Sequence, residues 1–209
     1  MPFNIAIIDY EMGNLKSIYK CLKHLNVRST ITSNPKIILK ADGVILPGVG
    51  AFGDAIKHLE EKNLIKIINQ LVNNATPLFG ICLGLQLLFE SSSEMGNFKG
   101  LDLIKGEVIL FDIKKVGKVP HIGWNNVELK DLNHFLVQGI PDKSYFYFVH
   151  SYYSVPDNDE NILGLTKYGD IQFCSIVFKD NIVATQFHPE KSSAYGIKIY
   201  QNFVDFCKK

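Results

Sequence analysis

Thr76-Pro-Leu-Phe-Gly-Ile-Cys82-Leu-Gly-Leu-Gln-Leu-Leu-Phe-Glu90 is an apolar run that holds one cysteine between two near glycines, and one glutamine. Residues 77–81 read as a short buried strand and 83–89 as a helix. Between them, Gly80-Ile-Cys82-Leu-Gly84 has the spacing of the G-x-S-x-G nucleophile elbow, with sulfur in place of oxygen. A strand that turns sharply into a helix leaves its turn residue pointing out of the sheet, and flanking glycines let the backbone turn without a side-chain clash. At a helix N-terminus, unpaired N–H groups and the helix dipole favour a thiolate, and the Leu83 N–H is placed to meet an oxyanion beside the sulfur. Most free cysteines are packing residues. The strand–turn–helix context selects the nucleophile reading for Cys82. Cys21, Cys174 and Cys207 lack that context and read as packing.

Upstream, residues 4–9, 27–32 and 43–46 read as strands, 15–25 as a helix and 54–73 as one long helix. Strands that alternate with helices indicate a parallel sheet covered on its faces. Downstream, residues 107–111, 124–129, 144–149, 162–168, 173–178 and 182–187 read as strands separated by turns such as 155–159. An amphipathic helix over 192–207 closes the chain. The expected fold is α/β, a mostly parallel open sheet with flanking helices and added antiparallel strands in the second half. The chain has no repeat or linker, and its 209 residues suit a single domain over 1–209.

Composition excludes several function classes. A formal charge of +1 provides no basic field for nucleic acid. No run approaches the ~20 apolar residues of a membrane-crossing helix, and the N-terminus has no basic segment of a signal peptide. The four cysteines are far apart and form no C-x-x-C pair, which argues for reduced thiols in the cytoplasm. No metal-ligand spacing is present, and no metal or cofactor is expected.

A thiolate nucleophile needs a base and a group that orients it. In Gln186-Phe-His188-Pro-Glu190-Lys, His188 follows an apolar strand. Glu190 lies two residues on, so in extended backbone both side chains point to one side. Pro189 biases His188 toward extended geometry. The carboxylate can orient the imidazole, which can take and return a proton. A strand-end histidine beside a solvated glutamate would look the same in this pair alone. His24, His58, His121, His134 and His150 have no acidic residue so placed. Pro47-Gly-Val-Gly50 ends the third strand. In a parallel sheet, sites form at the carboxyl ends of strands. An N–H at Val49 or Gly50 could complete an oxyanion hole with Leu83, each such donor being worth roughly 10²–10³ in rate.

With these pieces together, the sequence resembles the class I (triad) glutamine amidotransferases, whose fold is flavodoxin-like. More narrowly it is similar to the glutaminase subunits of imidazole glycerol phosphate synthases. The likeness covers essentially the whole chain. It is carried by Ile8-Asp-Tyr-Glu-Met-Gly-Asn-Leu15, Leu46-Pro-Gly-Val-Gly-Ala-Phe52, Gly80-Ile-Cys-Leu-Gly-Leu-Gln-Leu-Leu-Phe89, Val119-Pro-His-Ile-Gly-Trp-Asn125, Tyr147-Phe-Val-His-Ser-Tyr152 and Gln186-Phe-His-Pro-Glu-Lys-Ser192. The resemblance implies that Cys82 attacks the side-chain amide of L-glutamine, His188 is general base and acid, and Glu190 orients it. Gly50, Gln86, Glu94, His150, Ser151 and Tyr152 match positions that hold the substrate, with Glu94 suited to its ammonium. Ammonia would pass to a (β/α)8-barrel cyclase subunit in a heterodimer, for histidine biosynthesis. Asn14, Trp124, Tyr147 and Lys191 match the docking face. From physics alone Trp124 could equally be a core aromatic, and Lys191 a solvated charge. Such subunits often read Asp-Tyr-Gly where this chain has Asp9-Tyr-Glu11, next to the docking loop. A related pair that amidinates a surface sugar, an inactive pseudoglutaminase, and a cysteine hydrolase acting without a partner are the other readings.

Overall fold

The computed structural model describes residues 2–209. In chain order the elements are β1 (Ile5–Ile8), α1 (Leu15–His24), β2 (Ser29–Thr32), α2 (Pro35–Ile38), β3 (Gly43–Leu46), α3 (Phe52–Glu61), α4 (Leu64–Asn73), β4 (Leu78–Ile81) and α5 (Leu83–Gln86). There follow β5 (Phe89–Ser92), β6 (Phe98–Lys99), β7 (Ile104–Leu110), α6 (Ile113–Val116), β8 (His121–Leu129), β9 (Ser144–His150) and β10 (Tyr152–Pro156). The chain ends with β11 (Ile162–Tyr168), β12 (Ile171–Lys179), β13 (Ile182–Thr185) and α7 (Ser193–Cys207).

The sheet runs β2-β1-β3-β4-β13-β12-β10-β7-β5-β6. From β2 to β13 neighbouring strands are parallel. β12 turns back antiparallel on β13, and a branch of β11, β8 and β9 leaves from β12. This is the expected α/β sheet with antiparallel additions. Strands β1, β3 and β4 are buried at every residue, as central parallel strands covered on both faces must be. Alternate side chains feed two apolar layers. Ala6 and Ile8 face the layer of α3 and α4. Ile5 and Ile7 face the layer of α1, α7 and the β9 aromatics Phe146 and Phe148. α3 buries Phe52, Ala55, Ile56 and Leu59, one face at helical spacing.

Two helices differ from expectation. The helix predicted over 54–73 is two, broken after α3 where Asn63 adopts φ +55°. Asparagine tolerates the left-handed region, and apolar periodicity continues across the break, so the pattern hides it. The helix predicted over 83–89 is the single turn α5, and Phe89 already belongs to β5. Leu85, Leu87, Leu88 and Phe89 are fully buried. A segment apolar on all sides carries no period to separate helix from strand. β10 occupies part of a segment predicted as a turn.

The parallel strands end at one edge. Ile81 lies in register with Thr185, so the chain beyond β4 and the chain beyond β13 start side by side. Leu46 ends β3, the strand on the other side of β4.

Candidate active site

Cys82 occupies the turn between β4 and α5 with φ +55° and ψ −107°. A non-glycine residue held there is strained by roughly 1–3 kcal/mol, a cost that surrounding structure must impose. Two contacts impose it. The Cys82 N–H donates to the Thr185 carbonyl at 2.7 Å, and Gly84 packs so closely under β3 that a Cβ on it would overlap the Leu46 carbonyl. Gly80 is pressed likewise against the Gly84 carbonyl. Both glycines of the motif are therefore required by space. Because α5 is one turn, the dipole expected of a longer helix is small. What the turn offers at the sulfur is its first N–H groups, which have no acceptor inside a helix.

His188 follows β13. Its Nδ1 lies 2.8 Å from Glu190 Oε1, with the two side chains only 2% and 1% exposed. Glu190 Oε2 also accepts from the Tyr200 hydroxyl at 3.5 Å. His188 Nε2 is buried with no nitrogen or oxygen partner, leaving it for Cys82. Burial would lower the His188 pKa. Hydrogen bonding to and charge on Cys82, then the same from Glu190, outweigh burial and raise it to about 10. A proton passed from the thiol to His188 is thus held as imidazolium between the sulfur and the carboxylate. The backbone here is pinned from β9: His188 N–H donates to the Tyr147 carbonyl at 2.9 Å. The Ser192 hydroxyl accepts from Tyr147 N–H at 3.0 Å and donates to the His188 carbonyl.

A cavity of about 370 Å³ opens at this point, lined by Val49, Gly50, Cys82, Leu83, Gln86, Glu94, Val149, His150, Ser151, Tyr152 and His188. Every residue predicted for catalysis, oxyanion binding or substrate binding lines it, except Glu190, which stands behind His188. Gly50 has φ +100°, a conformation suited to glycine. Glu94 accepts the Phe52 N–H at 2.7 Å and so caps α3. Burial raises its pKa, with a lesser push from Asp54 against the pull of the Phe52 N–H. A ligand ammonium at the cavity would meet this carboxylate.

The walls are held by a polar chain that admits one set of proton positions. The Tyr152 carbonyl can only accept, and it lies 2.8 Å from His150 Nδ1 and 2.9 Å from Gln86 Nε2. His150 must carry its proton on Nδ1 and accept at Nε2, 3.0 Å from His121 Nδ1. His121 donates there, and its Nε2 accepts from Asn125 Nδ2 at 3.3 Å. Both rings are buried and neutral. Burial pushes His150 down to about 3 and His121 down to about 4. The His150 ring nitrogens are therefore both committed within the protein. The 150–152 segment lines the cavity with both His150 ring nitrogens already satisfied.

Val149, which lines the cavity, was not singled out from sequence, and neither were Tyr10, His121 and Gln186 around it. The buried Tyr10 hydroxyl donates to the Pro47 carbonyl at 2.6 Å, and a Cβ on Gly48 would meet that hydroxyl. Tyr10 thus underpins the Pro47–Gly50 loop. Its own ionisation is suppressed by burial and then by charge on Cys82. His121 has no sequence signal beyond its motif. Gln186 had one, because it precedes His188 by two, the same period that pairs His188 with Glu190.

The predicted docking residues lie apart from the cavity. Trp124 is 52% exposed, which decides against a core role. Its ring meets Tyr147 edge-on at 6.3 Å, and Lys191 Nζ lies 5.7 Å over the same Tyr147 ring. Asn14 precedes α1 without a side-chain cap bond. Glu11 adopts φ +71°, which explains why glycine suits that position. Its carboxylate turns away to Lys62 at 2.9 Å. Among the described residues no helix is long and apolar enough to cross a membrane.

Residues 6–206 match the family model of class-I glutamine amidotransferases. The chain is 46% identical to an imidazole glycerol phosphate synthase subunit HisH of Sulfurimonas denitrificans over 97% of this chain and 98% of that one. It is 50% identical to a subunit of the same name from Methanocaldococcus jannaschii, over 96% and 98%. Among solved structures, a glutamine amidotransferase superposes with a TM-score of 0.75 at 16% identity, covering 98% and 99% of the two chains. PurLQS from Thermotoga maritima superposes with 0.74 at 15% identity, covering 99% of each. At such identities the superpositions speak for the fold.

Proposed function

This chain belongs to the class-I glutamine amidotransferases, and on that premise we propose how its cavity releases ammonia from L-glutamine and where the ammonia goes. The chain is a glutamine amidotransferase, the glutaminase subunit of an imidazole glycerol phosphate synthase, acting in histidine biosynthesis. In our reading residues 1–209 act as one amidotransferase domain. The observation that carries the mechanism is the buried His188 whose Nδ1 meets Glu190 at 2.8 Å while its Nε2 is left for Cys82.

His188 Nε2 takes the thiol proton and Cys82 Sγ attacks the amide carbon. Negative charge gathers on the former carbonyl oxygen, where the N–H of Leu83 and one from Val49 or Gly50 would meet it. The intermediate collapses as His188 returns its proton to nitrogen. Ammonia leaves and a glutamyl thioester remains. His188 then takes a proton from water, the water oxygen attacks the thioester carbon, and glutamate departs as the thiol reforms. Glu190 holds the ring and offsets its positive charge throughout. Glu94 faces the substrate ammonium, and Gly50, Gln86 and the 150–152 segment hold the rest of its backbone.

A synthase subunit works with another. We assign the partner as a (β/α)8-barrel cyclase in a heterodimer, docked over Asn14, Trp124, Tyr147 and Lys191, in the cytoplasm. Barrel-bound phosphoribulosyl nucleotide and ammonia would give imidazole glycerol phosphate and aminoimidazole carboxamide ribotide. The test is ammonia release from L-glutamine by this chain alone and mixed with the cyclase subunit and nucleotide. Stimulation by the mixture, lost in Cys82→Ala, is expected. Cys82-dependent release without stimulation would point to another acceptor, a sugar-amidinating pair first. No release in any mixture would overturn the assignment.

A further inference from the structure

Gln186 is fully buried at the end of β13, next to the turn that carries Cys82. Its Oε1 lies 3.1 Å from Gln86 Nε2, and its Nε2 lies 3.7 Å from Cys82 Sγ. An amide can be placed either way round, so the direction of these contacts has to be argued. The Tyr152 carbonyl settles it. That oxygen is an acceptor 2.9 Å from the Gln86 amide, so Gln86 turns its NH₂ group inward. The second hydrogen of the same NH₂ then faces Gln186, which must answer with oxygen. The Gln186 NH₂ is left aimed at the sulfur. The backbone at Gln186 is fixed independently, its N–H donating to the Ser175 carbonyl at 2.9 Å.

We propose that Gln186 is a further catalytic residue: its Nε2–H donates a hydrogen bond to the Cys82 sulfur and holds the thiolate in place for attack. The proposal rests on Cys82 being the nucleophile. The bond does something His188 cannot. When His188 hands its proton to the leaving nitrogen and turns to water, the sulfur keeps a donor throughout the cycle. Gln86 and Tyr152 act as positioning groups, fixing which end of the Gln186 amide the sulfur meets. Without that charge-assisted bond the thiolate is harder to form by roughly tenfold, the equivalent of about 1.4 kcal/mol.

The test replaces Gln186 by methionine, close in volume and without a donor. Alkylation of the Cys82-containing peptide by iodoacetamide, followed by mass spectrometry, reads the sulfur directly, whether or not glutamine is ever turned over. In Gln186→Met the rate at pH 7 should fall about tenfold, and the deficit should close as the pH rises. Glutamine kcat/KM should fall in parallel, with KM changed less than kcat. A deficit that is the same at every pH, or no deficit, overturns the proposal, because lost packing has no reason to be rescued by base. Should the variant fail to fold, the parent protein labelled with ¹⁵N-glutamine answers the question. The Gln186 side-chain amide proton should move when Cys82 is alkylated, and an unmoved resonance overturns the proposal. If the alkylation behaves as expected while no glutamine is hydrolysed, the amidotransferase reading fails and the Gln186 assignment stands.

Discussion

His121→Phe tests the polar chain behind the site. The ring of His121 stacks on Tyr168 at 4.1 Å and on Phe148 at 4.9 Å, so phenylalanine fits the same slot and packing is preserved. What is lost is the donor to His150 Nε2. That nitrogen is then a buried acceptor with no partner, which costs about 1–3 kcal/mol. For a chain of this size each kcal/mol lowers Tm by about 2–4 °C, so a cost of about 2 kcal/mol means a fall of about 4–8 °C at pH 7. The pH dependence gives a sharper check. In the folded chain both histidines resist protonation until about pH 4 and about pH 3. In the unfolded chain they protonate near pH 6.5. Between those limits the unfolded state binds more protons, so stability drops as pH falls. The variant has one such histidine fewer and loses less on acidification. The gap in Tm between parent and variant should therefore narrow from pH 7 to pH 4.5, by thermal melts followed by circular dichroism. Equal Tm values at pH 7, or a gap that is constant or widens with acid, would show that His121 does not donate to a buried His150 Nε2.

Glu190→Gln keeps the shape behind His188 but removes the charge that offsets the imidazolium. The Tyr200 hydroxyl, at 3.5 Å from the carboxylate, brings no charge to replace it. Glutaminase kcat should fall roughly 10²–10⁴-fold with KM little changed, and steady-state ammonia release checks it. Gly84→Ala puts a methyl group into the Leu46 carbonyl, which is backbone and cannot swing aside. A loss of about 1–3 kcal/mol is expected, seen as a lower Tm, and an unchanged Tm would show that the elbow has more room than its packing indicates.

The elbow, the grouping of Cys82, His188 and Glu190, and the parallel sheet were legible because each has a short-range signature. Glycine spacing reports a tight turn, a period of two reports a shared face, and alternating strand and helix patterns report parallel pairing. The break at Asn63 and the single turn of α5 were not legible, since apolar residues continue through both and only tertiary contacts decide where the helices stop. The histidine pair was hidden for another reason. His121 and His150 stand 29 positions apart and meet only because β8 and β9 pair in that register. Nothing local to either residue announces the other. The commitment of His150 Nε2 follows from that pairing, and that of Nδ1 from the Tyr152 carbonyl two residues on.

The same register explains how an exposed aromatic face can bear on a buried histidine. Trp124 is opposite Tyr147 in the β8–β9 pair, as His121 is opposite His150. Tyr147 presents its ring outward, between Trp124 and Lys191. Its carbonyl and N–H turn inward, to His188 and to Ser192. Two residues further along β9, the Val149 carbonyl lies 4.0 Å from Cys82 Sγ. The proposed partner, seated on Trp124 and Tyr147, would therefore press on the strand whose backbone holds His188 and borders Cys82. β9 cannot shift along its axis without stretching the His188–Tyr147 bond or carrying His188 with it. Because the Nδ1 bond ties His188 to Glu190, movement carried into His188 is resisted by a second anchor. Both the His188 and the Cys82 contacts of β9 thus lie on the strand that carries the exposed aromatic face.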